Sequence, residues 1–333
     1  MTGVGGRLKD GAYACAMLAI TIGVVPLLGS EARASNQAFG PARLAVTIDD
    51  LPATGSAIPG VTRVEIAHAI IRTLKENGVD AYGFANGSFL KDNPQESSIL
   101  KDWMAADFPL GNHTRDHLDL RFSDAGAYTD NIEAEAQLLR GLNASSRGTT
   151  AVQPIFRFPY LEEGETLEKR DAVRTYLTAK GYRIAEVTVD YNDWAWDSAY
   201  KRCRSQKDDR KTQWLEAHAI DSADHMLQSA QALSKFLYNR DIAHILLIHC
   251  NYFTAHTLDR LLKHWRARGV QFISLAEAMD DPVYSVNPNV AYTDGLHFLE
   301  QTARSRHLEV ARLRDPLYPV NRIDRVCSDD AVD

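Results

Sequence analysis

Five clusters of polar residues carry the chemistry that this sequence can do. The first is Thr47-Ile48-Asp49-Asp50, directly after the apolar run Leu44–Ile48. Paired carboxylates after a strand often serve as a turn or helix cap, but they can also hold a metal or move a proton. The second, Asn112-His113-Thr114-Arg115-Asp116-His117, sets two imidazoles at i and i+4. On a helical turn that spacing puts both on one face, which suits metal binding, although many such pairs are simply solvated. Arg157-Phe158-Pro159-Tyr160, Asp190-Tyr191-Asn192-Asp193-Trp194 and Ile245–His249 complete the set. Each has an ordinary structural reading: a rigid Arg–Pro loop, loop carboxylates beside core tryptophans, and a satisfied core histidine. Together, His113, His117 and one of the two Asp carboxylates make a two-nitrogen, one-oxygen site with positions left for water and substrate. That is the donor set of a hydrolytic metal centre. The other Asp is then placed to accept a proton from the water.

These clusters need elements that bring them together. Short apolar runs alternate with helical patterns. Strands are expected at Leu44–Ile48, Asp80–Ala85, Phe108–Gly111, Pro154–Phe158, Tyr182–Val189, His244–Ile248 and Val270–Ser274. Helices are expected at Val61–Asn77, Ser97–Ala106, Asp130–Leu142, Leu167–Lys180, Gln213–Arg240 and Thr254–Arg268. Such alternation means a parallel α/β sheet or barrel, in which ligands bind at the carboxyl ends of strands, so the five clusters should converge. The polar stretches Ser198–Thr212 and Asp280–Asp333 break the rhythm and read as an insertion and a C-terminal extension.

Composition sets the outer bounds. The 333 residues are 45% hydrophobic with a net charge of −7, which fits a globular protein and disfavours nucleic acid or an anionic membrane as main partner. With 11 His against 4 Cys, imidazoles and carboxylates are the better metal ligands on offer. At the N-terminus, Arg7 and Lys9 precede an uncharged stretch, Gly11–Ser30, and Ala32-Arg33-Ala34 is a small-x-small cleavage pattern. Residues 1–34 therefore read as a secretory signal, the alternative being an uncleaved membrane anchor. Cleavage leaves Cys203, Cys250 and Cys327, so at most one bridge is available, and Cys203–Cys327 is a candidate. No Gly-x-Ser-x-Gly elbow, dinucleotide fingerprint or P-loop occurs.

The five clusters, in this order, resemble the NodB homology domain of the polysaccharide deacetylases, carbohydrate esterase family four. The resemblance covers roughly Leu44 to Ala278. It implies a distorted, incomplete (β/α) barrel, divided as 1–34 signal peptide, 35–280 catalytic domain and 281–333 C-terminal extension packing on the barrel. It also implies a residue for each role. Asp49 is the general base and Asp50, His113 and His117 hold the metal. Arg157 orients Asp49, and Tyr160 contributes its backbone N–H to an oxyanion site and its ring to substrate. His249 is the general acid, supported by Asp193 or Asp190, and Trp194 walls an acetyl-methyl pocket. Zn²⁺ suits two imidazoles and a carboxylate, with Co²⁺ or Mn²⁺ as alternatives.

The implied activity is removal of N-acetyl, or O-acetyl, groups from a poly- or oligosaccharide by an exported, periplasmic or secreted hydrolase. A deformylase or amidase of the same fold and a catalytically silent carbohydrate-binding relative are the alternatives. Chitin fragments, peptidoglycan, acetylated xylan and exopolysaccharide are all candidate glycans. The sequence departs from the family pattern at Ile48, where an aromatic is usual, and at Cys250, whose thiol is expected at the site rim. Tyr160, Trp194, Trp196 and Tyr252 are candidate sugar-stacking aromatics.

Overall fold

β1 (Arg43–Leu51) carries an apolar run broken only by Thr47 before Asp49 and Asp50, and is buried from Leu44 onward, as befits the central strand of a parallel sheet covered on both faces. Around it lie β2 (Ala81–Ala85), β3 (Leu110–Asn112), β4 (Ile155–Phe156), β5 (Arg183–Ile184), β6 (Val189–Asp190), β7 (Ala243–His249) and β8 (Gln271–Ile273). The computed structural model describes residues 41–54, 59–90, 93–144 and 154–328. The proposed signal segment, 1–34, lies outside them. Among the described residues, no helix is long and apolar enough to cross a membrane.

All strand pairs are parallel, in the order β5-β4-β3-β2-β1-β7-β6. β8 pairs with Arg43–Ala45, the start of β1, which β2 does not reach. The apolar run 182–189 reads as one strand, yet it forms β5 at one edge of the sheet and β6 at the other. Six strand spacings would separate the edges of a flat sheet by about 29 Å, while five extended residues span only about 17 Å. The sheet must therefore curl until its edges nearly meet. Residues 185–188 bridge the gap: Ala185 N–H bonds Phe156 O on one side and Thr188 N–H bonds Ile245 O on the other. The result is a distorted, incomplete (β/α) barrel.

Alternation along the strands decides what faces the interior. On β1, Leu44, Val46 and Ile48 pack into the outer core, Ala45 into the inner one, and Thr47 and Asp49 share Ala45's face. On β7, Leu246 and Ile248 face out and Ala243 and Ile245 face in, so His249 continues the inner face. Ile48 thus packs away from the barrel interior, into the outer core.

The helices are α1 (Arg63–Glu76), α2 (Ser97–Ala105), α3 (Ala125–Ala144), α4 (Leu167–Ala179), α5 (Asp193–Ser205), α6 (Asp209–Tyr238), α7 (Tyr252–Ala267), α8 (Leu275–Met279), α9 (Phe298–Ser305) and α10 (Val320–Ile323). Local signals explain several ends. α1 starts at a Thr62–Glu65 capping box and stops at Asn77-Gly78, with Gly78 at φ 56°. Asn251 caps α7 by accepting Thr254 N–H at 2.7 Å.

The polar stretch Ser198–Thr212, read as an insertion, is helical. It holds most of α5 and the start of α6, because Trp196, Ala199, Tyr200 and Cys203 recur at helical spacing while Lys201, Arg202 and Arg204 occupy other faces. Cys203 forms a disulfide with Cys327, tying α5 to the C-terminal tail. Residues 281–328 belong to the same compact unit as the barrel.

Candidate functional site

The barrel interior at the end of β1 is arranged around one guanidinium. Ala45 and Thr47 are small, which leaves room for Arg157, itself 1% exposed and seated over the Phe84 ring at 4.6 Å. Arg157 donates from Nη1 to both Asp49 oxygens at 3.1 and 3.2 Å, from Nη2 to Thr47 Oγ1 and from Nε to the Ala185 carbonyl. Burial pushes the Asp49 carboxyl up, and Arg157, His249 and His117 oppose that rise. Asp50 turns the other way because its backbone is left-handed, φ 60°, and its Oδ1 accepts from Asn86 Nδ2 at 2.6 Å.

His113 and His117 approach each other without a helix. Residues 113–117 form an irregular loop with Thr114 at φ 60° and His117 at φ 50°. Asn112 and Asn131 side chains hold the loop by accepting the Thr114 and Asp116 N–H groups, doing the work expected of a helical turn. The two rings lie 4.9 Å apart, and His117 Nε2 stands 3.3 Å from Asp50 Oδ1. His113 Nδ1 donates to the Arg157 carbonyl at 2.9 Å, which leaves the Nε2 lone pair facing Asp50 at 3.7 Å. Burial, then the nearby His117, brings the His113 pKa down to about 3. One donor atom from each of Asp50, His113 and His117 lies within 4.8 Å of the others. A neutral imidazole with a fixed tautomer, a second imidazole and a carboxylate fit a divalent cation. No other such cluster occurs among the described residues.

His249 is built in the opposite sense. Its Nδ1 donates to Asp193 Oδ1 at 2.7 Å, and its backbone N–H bonds Asp193 Oδ2. Asp193 is fully buried and also accepts from Asn251 Nδ2 and Thr254 Oγ1. Burial alone lowers an imidazole, but the Asp193 carboxylate, helped by Asp50 and Asp49, outweighs it and raises His249 to about 10. Whereas Asp193 is hydrogen-bonded to the ring, Asp190 meets His249 only through its charge. It accepts the Asn192 N–H at 2.6 Å, and burial raises its carboxyl.

A cleft of about 900 Å³ opens on these groups. Asp49, Asp50, His113, His117, Tyr160, Trp194 and His249 all line it, whereas Arg157 and Asp193 stand behind their partners. Tyr160 and Trp194 are 55% and 44% exposed on the cleft wall. Trp196 and Tyr252 are core residues instead, packed near Phe253 and Tyr200. Cys250 does not reach the rim: it is fully buried, with Sγ 3.4 Å from the Pro52 carbonyl. The thiol follows β7 residue His249 and so takes the outer side of the strand, which removes it from the metal ligands.

Residues 36–185 match the family model for polysaccharide deacetylase. Over that stretch, which is just under half of its length, the chain is similar to the polysaccharide deacetylases. Three of the five motifs fall inside the matched stretch, and Asp190–Trp194 and Ile245–His249 lie beyond it. The chain is similar to the chitin deacetylase of the fungal pathogen Colletotrichum lindemuthianum, at 17% identity and TM-score 0.50 over 72% of this chain and 88% of that one. It is also similar to a family 4 carbohydrate esterase from Streptomyces lividans in complex with acetate, at 19% identity and TM-score 0.44 over 71% and 95%. A family 4 pseudoenzyme from Bacillus anthracis matches at 18% identity and TM-score 0.45 over 73% and 70%. At 17% identity the likeness to the chitin deacetylase concerns the fold alone. No curated protein matches the sequence.

Two features of the candidate site escape the five motifs. Asn86, which bonds Asp50, follows β2 directly, so the strand-end rule that picked out the other clusters also points to it. The second is a wall of the cleft supplied from beyond residue 290, including Asp294, His297, Arg312 and Tyr318. No local signal marks those residues.

Proposed function

We propose that this protein is an exported, metal-dependent hydrolase that removes N-acetyl groups, and secondarily O-acetyl groups, from a poly- or oligosaccharide. The observation that carries the reading is the meeting, in one cleft, of a metal-ligand triad, a carboxylate clamped by arginine and an imidazole paired with a buried carboxylate. Asp50, His113 and His117 hold the cation. When bound, a divalent ion there supplies Lewis acidity that activates water and polarises the acyl oxygen, and Zn²⁺ suits these donors.

The chain's own groups do the rest. Asp49 accepts the proton that the attacking water gives up, and Arg157 aims it and favours its ionised form against the effect of burial. The Tyr160 backbone N–H donates to the oxygen on which negative charge develops. An amide nitrogen leaves poorly unless protonated, so His249, kept charged by Asp193, donates its Nε2 proton to the leaving amine. Trp194 walls the methyl of the departing acetyl group. Residues 1–34 act as the export signal, 35–280 as the catalytic domain and 281–333 as an extension that shapes the groove.

Assaying the released acid across a panel of chitin oligomers, peptidoglycan, acetylated xylan and exopolysaccharide tests this. Zn²⁺-reconstituted protein should release acetate from one of them, and chelation should stop it. Formate release from a formylated amino-sugar would instead make it a deformylase. Glycan binding with no acid released from any substrate would make it a silent relative.

A further inference from the structure

We propose that the C-terminal segment Tyr292–Phe298 is a clamp that positions the backbone of the Tyr160–Leu161 turn, with Gly295 and Tyr292 as positioning residues. The inference rests on the deacetylase reading, in which that turn presents the oxyanion donor. Tyr160 and Leu161 are consecutive non-glycine residues in the left-handed region, at φ 57° and 54°. Such a pair persists only where its surroundings over-determine it.

The surroundings come from more than a hundred residues away. The Tyr292 hydroxyl donates to the Leu161 carbonyl at 3.1 Å, and the Tyr292 N–H bonds Gly164 O. Gly295 lies flat against the turn: a Cβ there would sit 2.1 Å from the Tyr160 carbonyl oxygen. Gly295 is outside the left-handed region, so the glycine is needed for the close approach and not for its backbone angle. The segment is itself fixed. Arg121 Nη1 donates to Thr293 O at 2.8 Å, Arg312 Nη2 to Gly295 O at 2.9 Å, and Phe298 N–H to Val187 O at 2.8 Å. The segment thus ties the turn to the 185–188 bridge that closes the barrel, so the turn cannot relax without moving the barrel's own seam.

Gly295→Ala forces the Tyr160 carbonyl away and tilts the peptide units of the turn. With metal-loaded protein, kcat for acetate release should fall about 100-fold, the scale of losing one oxyanion donor. KM should stay within about threefold and bound metal should be unchanged, which a general loss of structure would not produce. Tyr292→Phe removes one bond and keeps the ring, so it should show the same split with a smaller fall. If Gly295→Ala does not fold, Tyr292→Phe carries the test. In hydrogen exchange, amides of residues 160–164 should exchange faster in either variant, with β1 and β7 unchanged. A kcat within twofold of wild type, or unchanged exchange at 160–164, overturns the clamp. Should wild type release no acid from any glycan, the deacetylase reading falls, and the exchange measurement alone still decides the clamp.

Discussion

His113 and His249 are both histidines at carboxyl ends of strands in one barrel, and both face the same cleft, yet they are driven in opposite directions. His113 gives its Nδ1–H to a neutral carbonyl, and burial brings it down to about 3. His249 gives its Nδ1–H to a buried carboxylate, and that charge lifts it to about 10 in spite of burial. Near neutrality the first is an uncharged lone-pair donor and the second a stored proton. The residue type is the same; the group behind the ring decides its chemistry.

Removing the first imidazole should have the largest effect. His113→Ala or His117→Ala should abolish metal binding, read by metal analysis after dialysis, and reduce acetate release to background. Neutralising the partner of the second comes next. Asp193→Asn should keep the metal but lower kcat by about 10²–10⁴, the range of general acid catalysis. Its pH–rate profile should lose activity at a lower pH than wild type, because the asparagine no longer holds His249 charged. An Asp193→Asn enzyme with wild-type kcat would mean that the two histidines do not divide the labour in this way.

The smallest effect is on stability, measured on metal-free protein. His113 binds fewer protons folded than unfolded between about 3 and 6.5, so it costs stability as pH falls through that range. His249 binds more protons folded than unfolded between 6.5 and about 10, so its contribution is full below 6.5 and fades as pH rises toward 10. Denaturant melts across pH should therefore show His113→Gln flattening the acid limb and His249→Gln the alkaline limb. Variants that each flattened the other limb would reverse the assignment.

The parts of the site that lie at strand ends were legible because a parallel α/β sheet collects them at one end whatever its curvature. Asp49 and His249 also follow from alternation along strands that are apolar enough to recognise. The path between β5 and β6 was not legible, since an unbroken apolar run does not show that the chain leaves one edge and joins the other. Nor was the loop geometry at 113–117, where side-chain bonds from Asn112 and Asn131 replace a helical turn. Cysteine counting reached the Cys203–Cys327 pair, while the strand face that buries Cys250 needed the fold. The contact between Tyr292 and Leu161 spans 131 residues, and no periodicity records it.

The most direct test of the whole account is Asp49→Asn, assayed for both metal content and acetate release. Asn is nearly isosteric and can still accept from Arg157 through its amide oxygen, but it cannot take the proton from water. Full metal occupancy with no acetate released is the expected result. Full activity in a metal-loaded Asp49→Asn protein would contradict the mechanism.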